Sequence, residues 1–249
     1  MSDLSGGTTI VVGASRGLGH GIAIAFAQAG APVVAVSRTA AEFPDFPGGS
    51  GSIRSELADG GEAAVPARLI DRYDPRTIIL VGGATPQMRP LHEQTWETFS
   101  IHWESDVRIA FHWLREALLK PLAPGSKVIT VSSGAALGAG GSPLSGGYVG
   151  AKATQRFITG YAQFDSDRAG LDITFSTIFP KFAPTTGVGR AAIPVYAAAS
   201  GLSEEEFLRP QGPLVTPEIA GKALVELAQA NAAAVAPAYL LNGTGLHEI

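Results

Sequence analysis

The chain has 249 residues, with 18 Lys plus Arg against 22 Asp plus Glu, a net charge of −4 and no cysteine. The missing cysteines exclude disulfides, thiolate metal ligands and cysteine nucleophiles. The mildly acidic balance lacks the basic footprint of a nucleic-acid binder.

In chain order, Thr8 to Val12 (TTIVV) is a short β-branched run that ends at glycine, the pattern of a buried parallel strand. Gly17 to Ala29 follows with Leu18, Ile22, Ala25, Phe26 and Ala29 on one helical face, and Gly30 stops it. Pro32 to Ser37 (PVVAVS) is a second buried strand, which completes a right-handed strand–helix–strand unit. Ala40 to Ser52, with Pro44, Pro47 and clustered glycines, is expected to be a loop. Further apolar strands are expected at Ile78 to Val81, Lys127 to Val131, Asp172 to Ile178 and Ala238 to Leu241. Between them lie helical patterns at about 61–73, 95–120 and 148–169. A last helix opens with Thr216 as N-cap and Pro217 at its first position. These elements predict one α/β domain over residues 1–249, a doubly wound parallel sheet flanked by helices. No apolar run reaches the length of about 18 residues that a membrane span needs. The start, MSDLSGGTTIVVG, has no basic run ahead of its apolar stretch, so it does not read as a signal peptide. A cytoplasmic location is expected. The histidines, His20, His92, His102, His112 and His247, show no metal-ligand spacing, and no metal site is expected.

Between the first strand and first helix stands GASRGLG, with Gly13, Gly17 and Gly19. Glycine at a strand end permits a tight turn, and glycine at a helix start lets the backbone approach a pyrophosphate over free N–H groups. Later come Ser132-Ser133 after a strand and YVGAK, which sets Tyr148 one helical turn before Lys152. In this order the three motifs resemble the short-chain dehydrogenase/reductase family, and the resemblance runs from the first strand to NGTG at Asn242–Gly245.

The resemblance implies a Rossmann-like fold, a nicotinamide cofactor, a small-molecule carbonyl or alcohol substrate, and a homodimer or homotetramer. It places Gly13, Ser15, Arg16, Gly17, Leu18 and Gly19 around the pyrophosphate, Glu56 and Leu57 beside the adenine, Gly83 and Ala84 after the fourth strand, and Pro180 and Thr185 after the sixth. The second strand ends Ser37-Arg38-Thr39, with no carboxylate to accept bonds from an NAD ribose. Arg38, flanked by Arg16, suits a 2′-phosphate, so NADP(H) is expected over NAD(H).

For catalysis the resemblance assigns Tyr148 as acid/base, Lys152 as its electrostatic partner and ribose ligand, and Ser133 as the group holding the substrate oxygen, with Ser132 and Ser145 as alternatives. A nearby ammonium and the positively charged oxidised nicotinamide are together expected to pull the Tyr148 pKa down. Three departures stand out. Gly82-Gly83-Ala84-Thr85 replaces the usual Asn-Asn-Ala-Gly, Pro180-Lys181 replaces Pro-Gly, and Asp106 stands where an asparagine completes the tetrad. Asp106 reads either as a fourth catalytic residue opposing the field of Lys152 or as a surface carboxylate paired with Arg108. Residues 186–215, with Val188, Ile193, Val195, Tyr196, Phe207 and Leu208, are expected to form an apolar substrate lid. The other reading of the chain is a non-catalytic or regulatory nucleotide-binding protein that kept the fold.

Overall fold

A computed structural model describes residues 4–46, 51–138 and 142–249. Eight strands form one sheet in the order β3-β2-β1-β4-β5-β6-β7-β8. They are β1 (Thr8–Val12), β2 (Pro32–Ser37), β3 (Ser52–Leu57), β4 (Pro75–Leu80), β5 (Lys127–Val131), β6 (Thr174–Pro180), β7 (Ala238–Asn242) and β8 (Gly245–Glu248). All neighbours pair in parallel except β7 and β8. The architecture is a Rossmann-like α/β fold.

Side-chain alternation explains the layering. Val11, Val33, Ala35, Ile79 and Ile129 point to one face, where α1 (Gly17–Gln28) packs on α8 (Pro217–Gln229) through Ile22, Phe26 and Leu224. Their neighbours Ile10, Val34, Ile78 and Val128 point to the other, under α2 (Ala64–Tyr73), α4 (Arg108–Leu119) and α5 (Tyr148–Ala169). Strands buried on both faces read as unbroken apolar runs.

Two strands depart from the sequence expectation. SIRSEL forms β3, an edge strand with a mostly exposed pattern, held by parallel pairing to β2 through six residue pairs. Its polar side chains carry no burial signal, because backbone pairing alone places it. Gly245–Glu248 likewise forms β8, antiparallel to β7 at the other edge. Residues 47–50 of the expected loop lie outside the described residues.

The single helix expected at 95–120 is broken in two. A short α3 (Trp96–Ser100), capped by Thr95, leads into one π-helical turn at Trp103–Val107, and α4 follows. The helix expected to begin at residue 61 starts at Ala64. α5 and α8 have the expected extents, and the Thr216 hydroxyl accepts from the Ile219 N–H as a cap. Between β6 and α8 lie α6 (Gly187–Ala199) and α7 (Glu204–Leu208). Among the described residues, no helix is long and apolar enough to cross a membrane.

Candidate active site

The strand order reverses between β1 and β4, and ligand crevices of such sheets open there, at the carboxyl ends of the strands. A cleft of about 1110 Å³ lies at this place. Gly13, Ser15, Arg16, Gly17, Leu18 and Gly19 all line it. Gly13 has φ +89°, and a Cβ on it would come within 2.5 Å of the Gly82 nitrogen. A Cβ on Gly19 would stand 2.2 Å from the Gly13 carbonyl oxygen, so the turn closes on the helix only without side chains. The first N–H groups of α1 have no intrahelical acceptor and open into the cleft beside Arg16. Arg38, at the end of β2, lines the same cleft and is exposed. Neither arginine forms an ion pair with a described residue. A tight glycine cradle, a positive helix end and two uncommitted guanidinium groups fit a phosphorylated dinucleotide.

Gly83, Ala84 and Pro180 line the cleft as expected, but three other residues do not. Glu56 turns to α2, where it accepts a 3.0 Å bond from Arg72, pairs with Arg68 and accepts a short hydrogen bond from the Tyr73 hydroxyl. Leu57 is 64% exposed. After β3 the cleft is lined instead by Asp59, Gly60 and Gly61, with a 3.0 Å bond from the buried Trp113 indole to the Gly60 carbonyl. Thr185 is replaced by its neighbour Thr186, which caps α6 by accepting from the Gly189 N–H at 3.1 Å. Such one-residue displacements depend on loop geometry, which motif spacing does not encode.

At the deep end, α5 brings Tyr148 and Lys152 to one face, both buried. Asp106 descends from the π turn, and its Oδ1 lies 3.0 Å from the Lys152 ammonium. Its Oδ2 accepts from the Ala84 N–H at 2.9 Å and from the Ser105 hydroxyl at 2.7 Å, with His102 Nδ1 at 3.3 Å. The surface reading of Asp106 is therefore corrected: it is 1% exposed, and Arg108 pairs with Glu104 instead. The π turn accommodates an extra residue in the helix and aims this carboxylate inward. Gly83 makes room, because a Cβ there would stand 2.5 Å from Asp106 Oδ1. The glycine in the unusual loop and the aspartate in the unusual tetrad position thus fit one another.

Two further residues complete the cluster. Gln155 accepts from the Lys152 ammonium at 3.0 Å and donates from Nε2 to the Asp106 carbonyl at 2.9 Å. His102 sets its ring edge-on to Tyr148 at 5.1 Å and is buried, with Nε2 lacking a partner among the described residues. Gln155 lies at i+7 from Tyr148 and i+3 from Lys152 on the face that carries both, a spacing that could have flagged it. His102 lies at i−4 from Asp106, though only the inward turn of that helix gives the spacing meaning.

Burial acts first to raise the Tyr148 pKa, and Asp106 raises it further, against the lowering by Lys152 and a hydrogen-bonding interaction with Ser133. The net direction is upward, opposite to the expectation from the ammonium alone. Burial acts first to lower the Lys152 pKa, but the Asp106 carboxylate and Tyr148 together outweigh it and hold the ammonium charged above its usual range. Asp106, although burial opposes its charge, is held ionised well below the usual carboxylate range by Lys152 and His102. Ser133 lines the cleft, whereas the Ser132 hydroxyl is committed to the Lys152 carbonyl at 2.8 Å. Ser145 is buried and donates to the Ser142 carbonyl at 2.6 Å, away from the lining.

No family model matches the chain. Human L-xylulose reductase is 27% identical over 173 residues, covering 68% of this chain and 63% of that protein. D-erythrulose reductase of Gallus gallus is 26% identical over 186 residues, 73% of this chain and 68% of its own length. A 2,5-dichloro-2,5-cyclohexadiene-1,4-diol dehydrogenase of Sphingobium indicum is 29% identical over 188 residues, 70% and 72% of the two chains. These similarities support the short-chain dehydrogenase/reductase family. The match spans less than two thirds of the human reductase's length.

Proposed function

We propose that the chain is an NADP(H)-dependent oxidoreductase that interconverts a small carbonyl compound and its alcohol, acting in the cytoplasm as a homodimer or homotetramer. The observation that carries this reading is the buried Tyr148–Lys152–Asp106 cluster with Ser133 beside it, at the head of a glycine-lined cleft. The reductase and dehydrogenase names of the relatives agree with it.

The bound nicotinamide would supply the hydride for reduction and accept it in oxidation. Ser133 holds the substrate oxygen, and the Tyr148 phenol delivers its proton there as negative charge develops. Lys152 stabilises the resulting phenolate. Lys152 would also hold the ribose hydroxyls of the cofactor, and the bond it would most readily exchange for them is its longest, the 3.4 Å contact with the Val131 carbonyl. Gly13, Gly17 and Gly19 admit the pyrophosphate, and Arg38 with Arg16 binds the 2′-phosphate. Residues 186–215, through Val188, Tyr196 and Phe207, close over the substrate as a lid.

The test is to titrate NADPH and NADH and to screen ketones and aldehydes for turnover. NADPH is expected to bind tighter, and Arg38→Glu to erase a preference of about 10–100-fold, the value of a charge-assisted contact. Tyr148→Phe is expected to bind NADPH normally and to lose turnover. Equal affinity for the two nicotinamides would retire the role of Arg38. Undiminished turnover in Tyr148→Phe would retire that of the tyrosine.

A further inference from the structure

The cleft that holds Tyr148 also carries a second pair of hydroxyls, which the acid/base cluster does not use and which lies close enough to Tyr148 to interact with it electrostatically. Ser142, in the segment before α5, and Tyr196, on α6, both line the cleft, and their hydroxyl oxygens are in direct hydrogen-bond contact. Tyr196 is held by a ring stack and by its hydroxyl contacts. Its ring stacks on Phe207 at 6.3 Å, and Phe207 meets Phe182 edge-on at 5.5 Å. Ser142 is tied to the catalytic helix by backbone bonds, since the Ser145 N–H donates to its carbonyl and the Tyr148 N–H donates to that of Ser145, both at 3.2 Å.

The proton inventory of the pair decides what it can bind. A phenol has one proton, and Tyr196 donates it to the Pro143 carbonyl at 2.5 Å. The contact between the two hydroxyls must then use the Ser142 proton, with the phenol oxygen as acceptor. Both donors are consumed. What remains for a ligand is acceptor capacity, the unused lone pairs of Ser142 Oγ and Tyr196 Oη, so the matching group is a hydrogen-bond donor. Lys152 and Lys181 line the same cleft and disfavour a cationic donor such as an ammonium. That leaves neutral donors, of which a hydroxyl is the one that an alcohol or carbonyl substrate carries.

We propose that the Ser142–Tyr196 pair recognises a hydroxyl next to the reacting carbonyl, so that the substrate class is an α-hydroxy carbonyl compound and its product a vicinal diol. The inference rests on the oxidoreductase reading of the site. The neighbouring Phe182 and Phe207 suit an aryl or other apolar body on the far side of the molecule. Sites built to hydrogen-bond a substrate hydroxyl discriminate against analogues that lack it, because their polar groups are left unpaired.

The probes are 2-hydroxyacetophenone and 2-methoxyacetophenone, which share the ring and the electron-withdrawing oxygen but differ in the O–H donor. Wild type with NADPH is expected to favour the hydroxy ketone in kcat/KM by about tenfold or more, and the Ser142→Ala/Tyr196→Phe variant to bring the two within about threefold, the range for loss of one or two neutral hydrogen bonds. Tyr196→Phe alone keeps the ring stack and guards against a folding defect. Calorimetric binding of 1-phenylethane-1,2-diol and its 2-methyl ether reads the same preference without turnover. A diol preference that the double variant loses, in a protein that reduces neither ketone, would keep the hydroxyl site and overturn the oxidoreductase reading. Turnover with no hydroxy preference, or a preference that survives in the double variant, would overturn the hydroxyl site and leave the pair as a clasp between α6 and the segment before α5.

Discussion

At the scale of single residues, the charge at Asp106 adds to burial in setting how Tyr148 titrates. Its carboxylate raises the Tyr148 pKa, while Lys152 and Ser133 lower it against a larger burial effect. Asp106→Asn removes a negative charge and keeps an oxygen facing Lys152, so the apparent pKa of the oxidative pH–rate profile should fall. An unchanged or higher pKa in an active variant would disprove the electrostatic role. With Tyr148 raised, reduction, which needs the phenol, holds through neutral pH, and oxidation, which needs the phenolate, gains toward alkaline pH. The same pair makes a stability prediction. Asp106→Ala strands a buried ammonium and should cost about 3–5 kcal/mol by denaturant unfolding, with Asp106→Asn costing less. The folded Asp106 pKa is depressed, so its contribution is present above the unfolded value of about 4 and is lost as pH falls below it. The gap between wild type and Asp106→Asn should be flat above about pH 5 and shrink below about pH 4.

At the scale of elements, the π turn at Trp103–Val107 and the loop after β4 are matched surfaces. The turn aims Asp106 inward, and Gly83 leaves the space into which the carboxylate reaches to take the Ala84 N–H. Gly83→Ala would press a methyl against Asp106 Oδ1, and overpacking of this kind costs about 1–3 kcal/mol. The variant should unfold at lower denaturant and lose activity, and adding Asp106→Asn should not make the activity loss additive, because both changes act on one contact. Fully additive effects would separate the two elements.

At the scale of the molecule, α4 and α5 carry large apolar side chains that the sheet does not cover. Phe111, Phe157, Tyr161 and Phe164 are 51%, 71%, 57% and 62% exposed. Large exposed apolar side chains grouped on two neighbouring helices favour association. Light scattering should find a dimer or tetramer, and Phe157→Glu with Phe164→Glu should shift it to monomer, because a charge buried at an interface core is strongly unfavourable. A wild-type monomer at micromolar concentration would remove the oligomer proposal. β1, β2 and β5 were legible as apolar runs because parallel strands are buried on both faces. β3 and β8 were not, since an edge strand is placed by its neighbour's backbone and its side chains face water.

The sequence alone determined the fold class, the glycine turn and the Tyr148–Lys152 spacing, because these follow from local periodicity and from positions a few residues apart on one strand or helix. Tertiary structure decided the rest. It turned Glu56 and Leu57 away from the cleft, substituted Thr186 for Thr185, and buried Asp106 against Lys152, His102 and Ala84. It also left the Tyr148 pKa above its usual value in spite of the Lys152 ammonium, since that balance sums burial with charges from the π turn and α5 and with a hydrogen-bonding interaction with Ser133 after β5. Desolvation and cross-element electrostatics depend on distances between segments far apart in the chain, which residue spacing does not contain.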